Sequence, residues 1–144
     1  MYHRSDRRRY AFLLSILLAM FSLRVIGQLI QITSPVDFLP LLESWQGSDL
    51  PYTVLLSSQL VIIVLVTILA FRIHAGSLIP RRRLGKILWM FGILYFVIMF
   101  ARLILGVTVL ADYPWFAKPV PAIFHLVLSG MVLTLGHYHC HQQP

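Results

Sequence analysis

Five polar side chains sit where apolar sequence should be, and any chemistry in this chain starts with them: Arg24, Gln28, Gln59, Arg102 and His125. A guanidinium stays protonated in a protein. One placed at the centre of a membrane helix costs roughly 2.5–3.5 kcal/mol on insertion scales unless something receives it. Their spacing is also informative. Arg24 lies about seven residues from one end of its apolar run, Gln59 about seven, Arg102 about eight and His125 about six from the matching ends of theirs. At 1.5 Å per residue, each falls roughly 10 Å below the same surface. Gln28, one turn from Arg24, shares its helical face, as does Gln31.

A pocket built from these groups would favour an anion. None of the apolar runs contains a carboxylate, so the countercharge must come from elsewhere. One source is Glu43, with Asp37, in the loop after the first run, where Trp45 also lies. The other is an external carboxylate, phosphate headgroup or polarised quinone oxygen, which the planar arginine fork suits. Tyr95, seven residues before Arg102 on the same face, would form a deeper wall. Ser57, Ser58 and Ser129 are nearby helpers. If a reaction takes place, His125 is the acid/base. The competing reading is structural: snorkelling arginines, with Gln59 and His125 as helix–helix contacts worth roughly 0.6–2 kcal/mol each.

A second cluster lies at the other end of the runs: His74, then His137, His139, Cys140 and His141, with His3 in the N-terminal arm. Histidine and cysteine in one short tract are weak candidates for metal ligands. His74 with His137 or His139 would be the axial pair if the chain held a b-type haem. No second ligand pair is spaced to complete a zinc site, and a tail of interfacial histidines explains the tract equally. No other motif demands a cofactor. Phosphate loops, paired carboxylates and Ser/His/Asp arrangements are not evident, and no family motif matches these residues.

The elements that position these groups follow from composition. Of 144 residues, 58% are hydrophobic and only 12% charged, against a usual charged share of about a quarter. The apolar residues fall in four runs, about 11–31, 52–71, 87–110 and 119–137, each near the ~20 residues that cross a bilayer as a helix. The expected fold is an all-α integral membrane protein: one domain, an antiparallel four-helix transmembrane bundle. The first run follows Arg4, Arg7, Arg8 and Arg9 but shows no small-residue cleavage site, so it reads as a retained span. A short interfacial helix is expected at about 38–46, with Asp37 as its cap, Pro40 in its first turn and Gly47 as its stop. Ser48 or Asp49 would cap the second span.

The net charge of +7 is no nucleic-acid signature. Four basic residues in the N-terminal arm and five between the second and third runs make up nine of the twelve, and they act as topology determinants. The positive-inside rule puts both termini in the cytoplasm and the first and third loops outside. Tyr113, Trp115 and Phe116 would then form an outer aromatic belt. The single cysteine excludes an internal disulfide. The function these features suggest is binding the head of a lipid- or quinone-like amphiphile in an outward-facing intramembrane pocket, in a multi-pass protein of a bacterial cytoplasmic membrane. The alternatives are an accessory subunit of a larger membrane complex, or of a homo-oligomer, and a haem protein.

Overall fold

A computed structural model describes residues 4–45, 50–113 and 116–142. The described residues form helices and loops without strands: α1 (Arg4–Thr33), α2 (Leu42–Trp45), α3 (Tyr52–Ala75), α4 (Arg82–Thr108) and α5 (Pro119–His141). The four long helices, of 30, 24, 27 and 23 residues, are each long and apolar enough to cross a membrane. Phe12, Leu23, Val61, Phe71, Met90 and Val107 are all more than 60% exposed. An apolar surface so continuous does not persist in water, and the chain reads as a multi-pass membrane protein.

Several helices run past the apolar segments that predict them. α1 begins at Arg4 because neither Pro nor Gly interrupts the arginine-rich arm, and arginine is a good helix former. At the start of α4 the good helix formers Arg82, Arg83 and Lys86 carry the helix through Gly85. α3 continues to Ala75 and stops at Gly76, whose φ of +73° suits glycine. There Gly76 N–H bonds to the Ile73 carbonyl and Ser77 N–H to that of Arg72, closing the helix end. α5 opens with Pro119 at its first position, where the missing N–H costs nothing.

The expected helix at 38–46 is shorter in its described part. Residues 37–38 form a turn, 39–41 are irregular, and helix begins only at Leu42. The cause is Pro40, which disfavours the α conformation in Leu39 before it and whose carbonyl accepts the Trp45 indole N–H at 2.8 Å. Asp37 therefore caps nothing. Residues 46–49, including the expected stop and the caps of the second span, lie outside the described residues, as do Trp115 and His3.

Close approaches fix the packing. Tyr10 meets His137 and Arg24 meets Phe124, so α1 and α5 run antiparallel. Gln28 meets Gln59 near one end and Arg7 lies over Gly76 at the other, so α1 and α3 are antiparallel too. Gly85 lies against Cys140 and Gly92 against Leu133, making α4 and α5 antiparallel. Helices α3 and α4 do not pack on each other, nor do α1 and α4. The lateral order is therefore α3–α1–α5–α4, an open arrangement rather than a closed square. The α4/α5 seam is the tightest. A Cβ on Gly136 would lie 2.7 Å from the Trp89 nitrogen and 3.2 Å from the Gly85 carbonyl oxygen, so glycine here lets the two backbones touch. The apolar core, including Leu14, Val66, Ile73, Met131 and Tyr138, lies mainly where α1, α3 and α5 meet.

Candidate functional site

The lateral order decides how the equal-depth polar residues meet. With α3 and α4 at opposite edges they form a row across the helices. At one edge Gln59 of α3 donates from Nε2 to Gln28 Oε1 of α1 at 3.4 Å. One turn along α1, Arg24 follows. His125 of α5 senses the charges of both Arg24 and Arg102, and its Nδ1 is 2.5 Å from the Tyr95 hydroxyl of α4. Tyr95 in turn interacts with Arg102. All of these groups are buried or half-buried. His125, on α5, thus stands between the α1 and α4 members of the row and bonds to Tyr95.

Arg24 is 8% exposed. It donates from an Nη nitrogen to the Trp45 carbonyl at 3.1 Å, and its guanidinium stacks over the Phe124 ring at 5.2 Å. Trp45 reaches Arg24 because Gly27, one turn along α1, leaves room for the indole: a Cβ there would stand 3.1 Å from the ring. Trp45 is thus the buried roof that α2 supplies. Glu43, on the same short helix, is exposed, as is Asp37. The structure does not bring either carboxylate to the arginines. A four-residue helix whose inner face carries Trp45 directs Glu43 away from the cluster.

Between α1, α3 and α5 lies a cleft of about 290 Å³. Arg24, Ser58, Gln59 and His125 form its polar wall, and Phe21, Leu55, Ile62, Phe124 and Leu128 its apolar one. Among the described residues, no carboxylate lines it. Arg102 and Tyr95 are not part of its wall, because α5 stands between them and the cleft. Among the described residues, Arg24 Nε, Gln28 Nε2, Gln59 Oε1 and the Tyr52 hydroxyl are buried without a hydrogen-bond partner. Three of these four belong to the polar row. Buried polar atoms are ordinarily satisfied, so an unpaired arginine nitrogen and two unpaired amide atoms beside one cleft mark a place where a polar group from outside would be stabilised.

Some contributors carry no clear signal in the sequence. Phe124 and Phe21 read there as ordinary apolar residues, although Phe21 stands three positions before Arg24 on the same face. Gln31 is buried but belongs elsewhere: its side-chain oxygen accepts the Val36 N–H at 3.2 Å and fastens the first loop. Ser57, Ser58 and Ser129 spend their hydroxyl protons on their own helix backbones.

The histidine-rich end is organised differently from a metal centre. His137 Nδ1 is 2.7 Å from the Tyr10 hydroxyl, and its ring stacks on His141 with centroids 3.9 Å apart. His139 is buried and its Nδ1 accepts the Arg81 N–H at 3.2 Å. Cys140 abuts Gly85 in the α4/α5 seam. His74 lines a groove between α1 and α3, whereas His137 lines another against α4 and α5. The structure does not bring His74 and His137 together, and no three metal-binding side chains converge among the described residues. Consecutive helix positions point around α5 in different directions, which disperses the tract.

The chain matches no family model, and no curated protein or solved structure is similar to it.

Proposed function

We propose that the cleft between α1, α3 and α5 binds the anionic or polarised head of a lipid- or quinone-like amphiphile, in the outer half of a bacterial cytoplasmic membrane. The positive-inside rule gives the orientation: the arginine-rich ends of α1 and α4 face the cytoplasm, and α2 lies at the outer surface over the cleft. The observation that carries the reading is Arg24. Among the described residues, a buried guanidinium with an unpaired Nε lines a cleft that no carboxylate enters. A carboxylate, phosphate or quinone oxygen would accept from it, with Gln59 orienting the head and the apolar wall taking the chain. His125 adds a ring nitrogen at the same wall. Its bond to Tyr95 makes it the group to hold or pass a proton if the bound head is protonated or reduced. Arg102, behind α5, acts through Tyr95 and His125 rather than by contact.

The test is a stabilisation series on delipidated protein. A ligand that binds only the folded state raises stability by RT ln(1 + [L]/Kd), about 2.7 kcal/mol at a hundredfold excess over Kd. A fatty acid, phosphatidic acid and a short-chain quinone are compared with phosphatidylcholine. At least one of the first three should stabilise the wild type and not Arg24→Leu. Equal responses in both proteins would count against the cleft.

A further inference from the structure

A second groove, of about 720 Å³, lies between α1 and α3 at the end of the bundle opposite the cleft. Ala11 and Ala70 form its buried floor, and the exposed rings of Phe12 and Phe71 form its walls. Two alanines facing each other keep the helices close while leaving a trough above them. Arg8, Arg9 and His74 stand at one end, and among the described residues no carboxylate lines the groove. Asp6 pairs with Arg9 only at 4.0 Å and across an exposed i,i+3 spacing, a contact worth little. The groove is thus apolar along its length and cationic at its mouth.

We propose that this groove is a binding site for one anionic phospholipid. It would seat an acyl chain on Ala11 and Ala70 and hold the phosphodiester against Arg8, Arg9 and His74. Length supports this occupant. From Arg9 to Leu18 the groove follows α1 for about 14 Å at 1.5 Å per residue. One leaflet of a ~30 Å hydrocarbon core is about 15 Å deep, so the chain is accommodated from headgroup level to the bilayer centre. Charge supports it as well: juxtamembrane arginines attract anionic headgroups, and here the attraction ends in a shaped apolar slot rather than on a flat surface. The site is independent of the Arg24 cleft, and either can fail without the other.

Native mass spectrometry of the full chain, titrated with phosphatidylglycerol or phosphatidylcholine of matched chains, tests it. In an Arg24→Leu background, which removes the cation of the cleft, phosphatidylglycerol should give a discrete single adduct that phosphatidylcholine does not. Arg8→Gln with Arg9→Gln should weaken it by roughly thirtyfold, the loss expected for two juxtamembrane cations. Arg82→Gln with Arg83→Gln removes the same charge at the same end of the bundle but outside the groove, and should leave the adduct nearly unchanged. Ser15→Trp fills the groove from an exposed position and should abolish the adduct with all charges intact. Equal losses in the two arginine pairs, a retained adduct in Ser15→Trp, or equal retention of the two lipids would each overturn the proposal.

Discussion

The α4/α5 seam makes a prediction of opposite sign at two glycines of one helix. At Gly136 an added Cβ would stand 2.7 Å from the Trp89 nitrogen and 3.0 Å from its Cα. These are backbone atoms, which cannot rotate aside. An ordinary carbon contact needs about 3.5 Å or more, so Gly136→Ala requires α4 to move off α5 by several tenths of an ångström. Overpacking of this kind typically costs about 1–3 kcal/mol. At Gly130 the new methyl would meet only Leu17 side-chain carbons, at 3.5 and 3.6 Å, an ordinary contact with groups that can adjust. Alanine is also the better helix former, so Gly130→Ala should be neutral or slightly stabilising. Unfolding in mixed detergent with increasing dodecyl sulfate, followed by circular dichroism, measures both. Gly136→Ala should lose about 1–3 kcal/mol and Gly130→Ala none. Equal stabilities for the two variants would refute the packing argument, and with it the lateral order on which the polar row depends.

Further outcomes follow from the same contacts. Gln59→Leu strands the Gln28 amide and should cost about 0.6–2 kcal/mol. Gln28→Leu with Gln59→Leu leaves no polar atom behind and should cost less than the sum of the singles, which a double-mutant cycle reads directly. Tyr138→Phe removes the hydroxyl donated to the Leu78 carbonyl at 2.9 Å, a bond worth about 0.5–1.5 kcal/mol, and hydrogen exchange should quicken first at residues 76–81. Gly27→Leu drives the Trp45 ring off α1, since a Cβ already stands 3.1 Å from it. With Trp89 and Trp115 replaced by Phe, iodide should then quench Trp45 fluorescence more strongly.

The sequence makes the helices legible because no apolar run has a proline beyond its first turn and each is long enough to span. It also makes legible the common depth of Arg24, Gln59, Arg102 and His125, since rise per residue is fixed and the runs end together. The neighbour relations are not legible. Four helices of similar apolarity can be ordered laterally in several ways, and the order is set by where small residues let backbones approach. Gly92 stands against Leu133, and it joins Gly85 and Gly136 as a contact glycine only once α4 and α5 are paired. Gly106 meets the returning loop at Phe116 rather than a helix. The order α3–α1–α5–α4 is why Gln59 reaches Gln28 while Tyr95 reaches His125, and why the polar groups form a row. Glu43 looks like a countercharge because it is acidic and close in sequence, yet helical phase at Leu42–Trp45 turns Trp45 inward instead.

The central claim is that the cleft at Arg24 holds an amphiphile's head. Its most direct test is native mass spectrometry of the protein purified in mild detergent without added lipid, beside Arg24→Leu and Arg24→Lys, all three carrying Ser15→Trp so that the groove at Arg8 and Arg9 is filled. One discrete extra mass is expected on the protein with Arg24 intact, absent in Arg24→Leu and weakened in Arg24→Lys, which keeps the charge but loses the planar fork. Bare chain in all three, or the same adduct in all three, would contradict it.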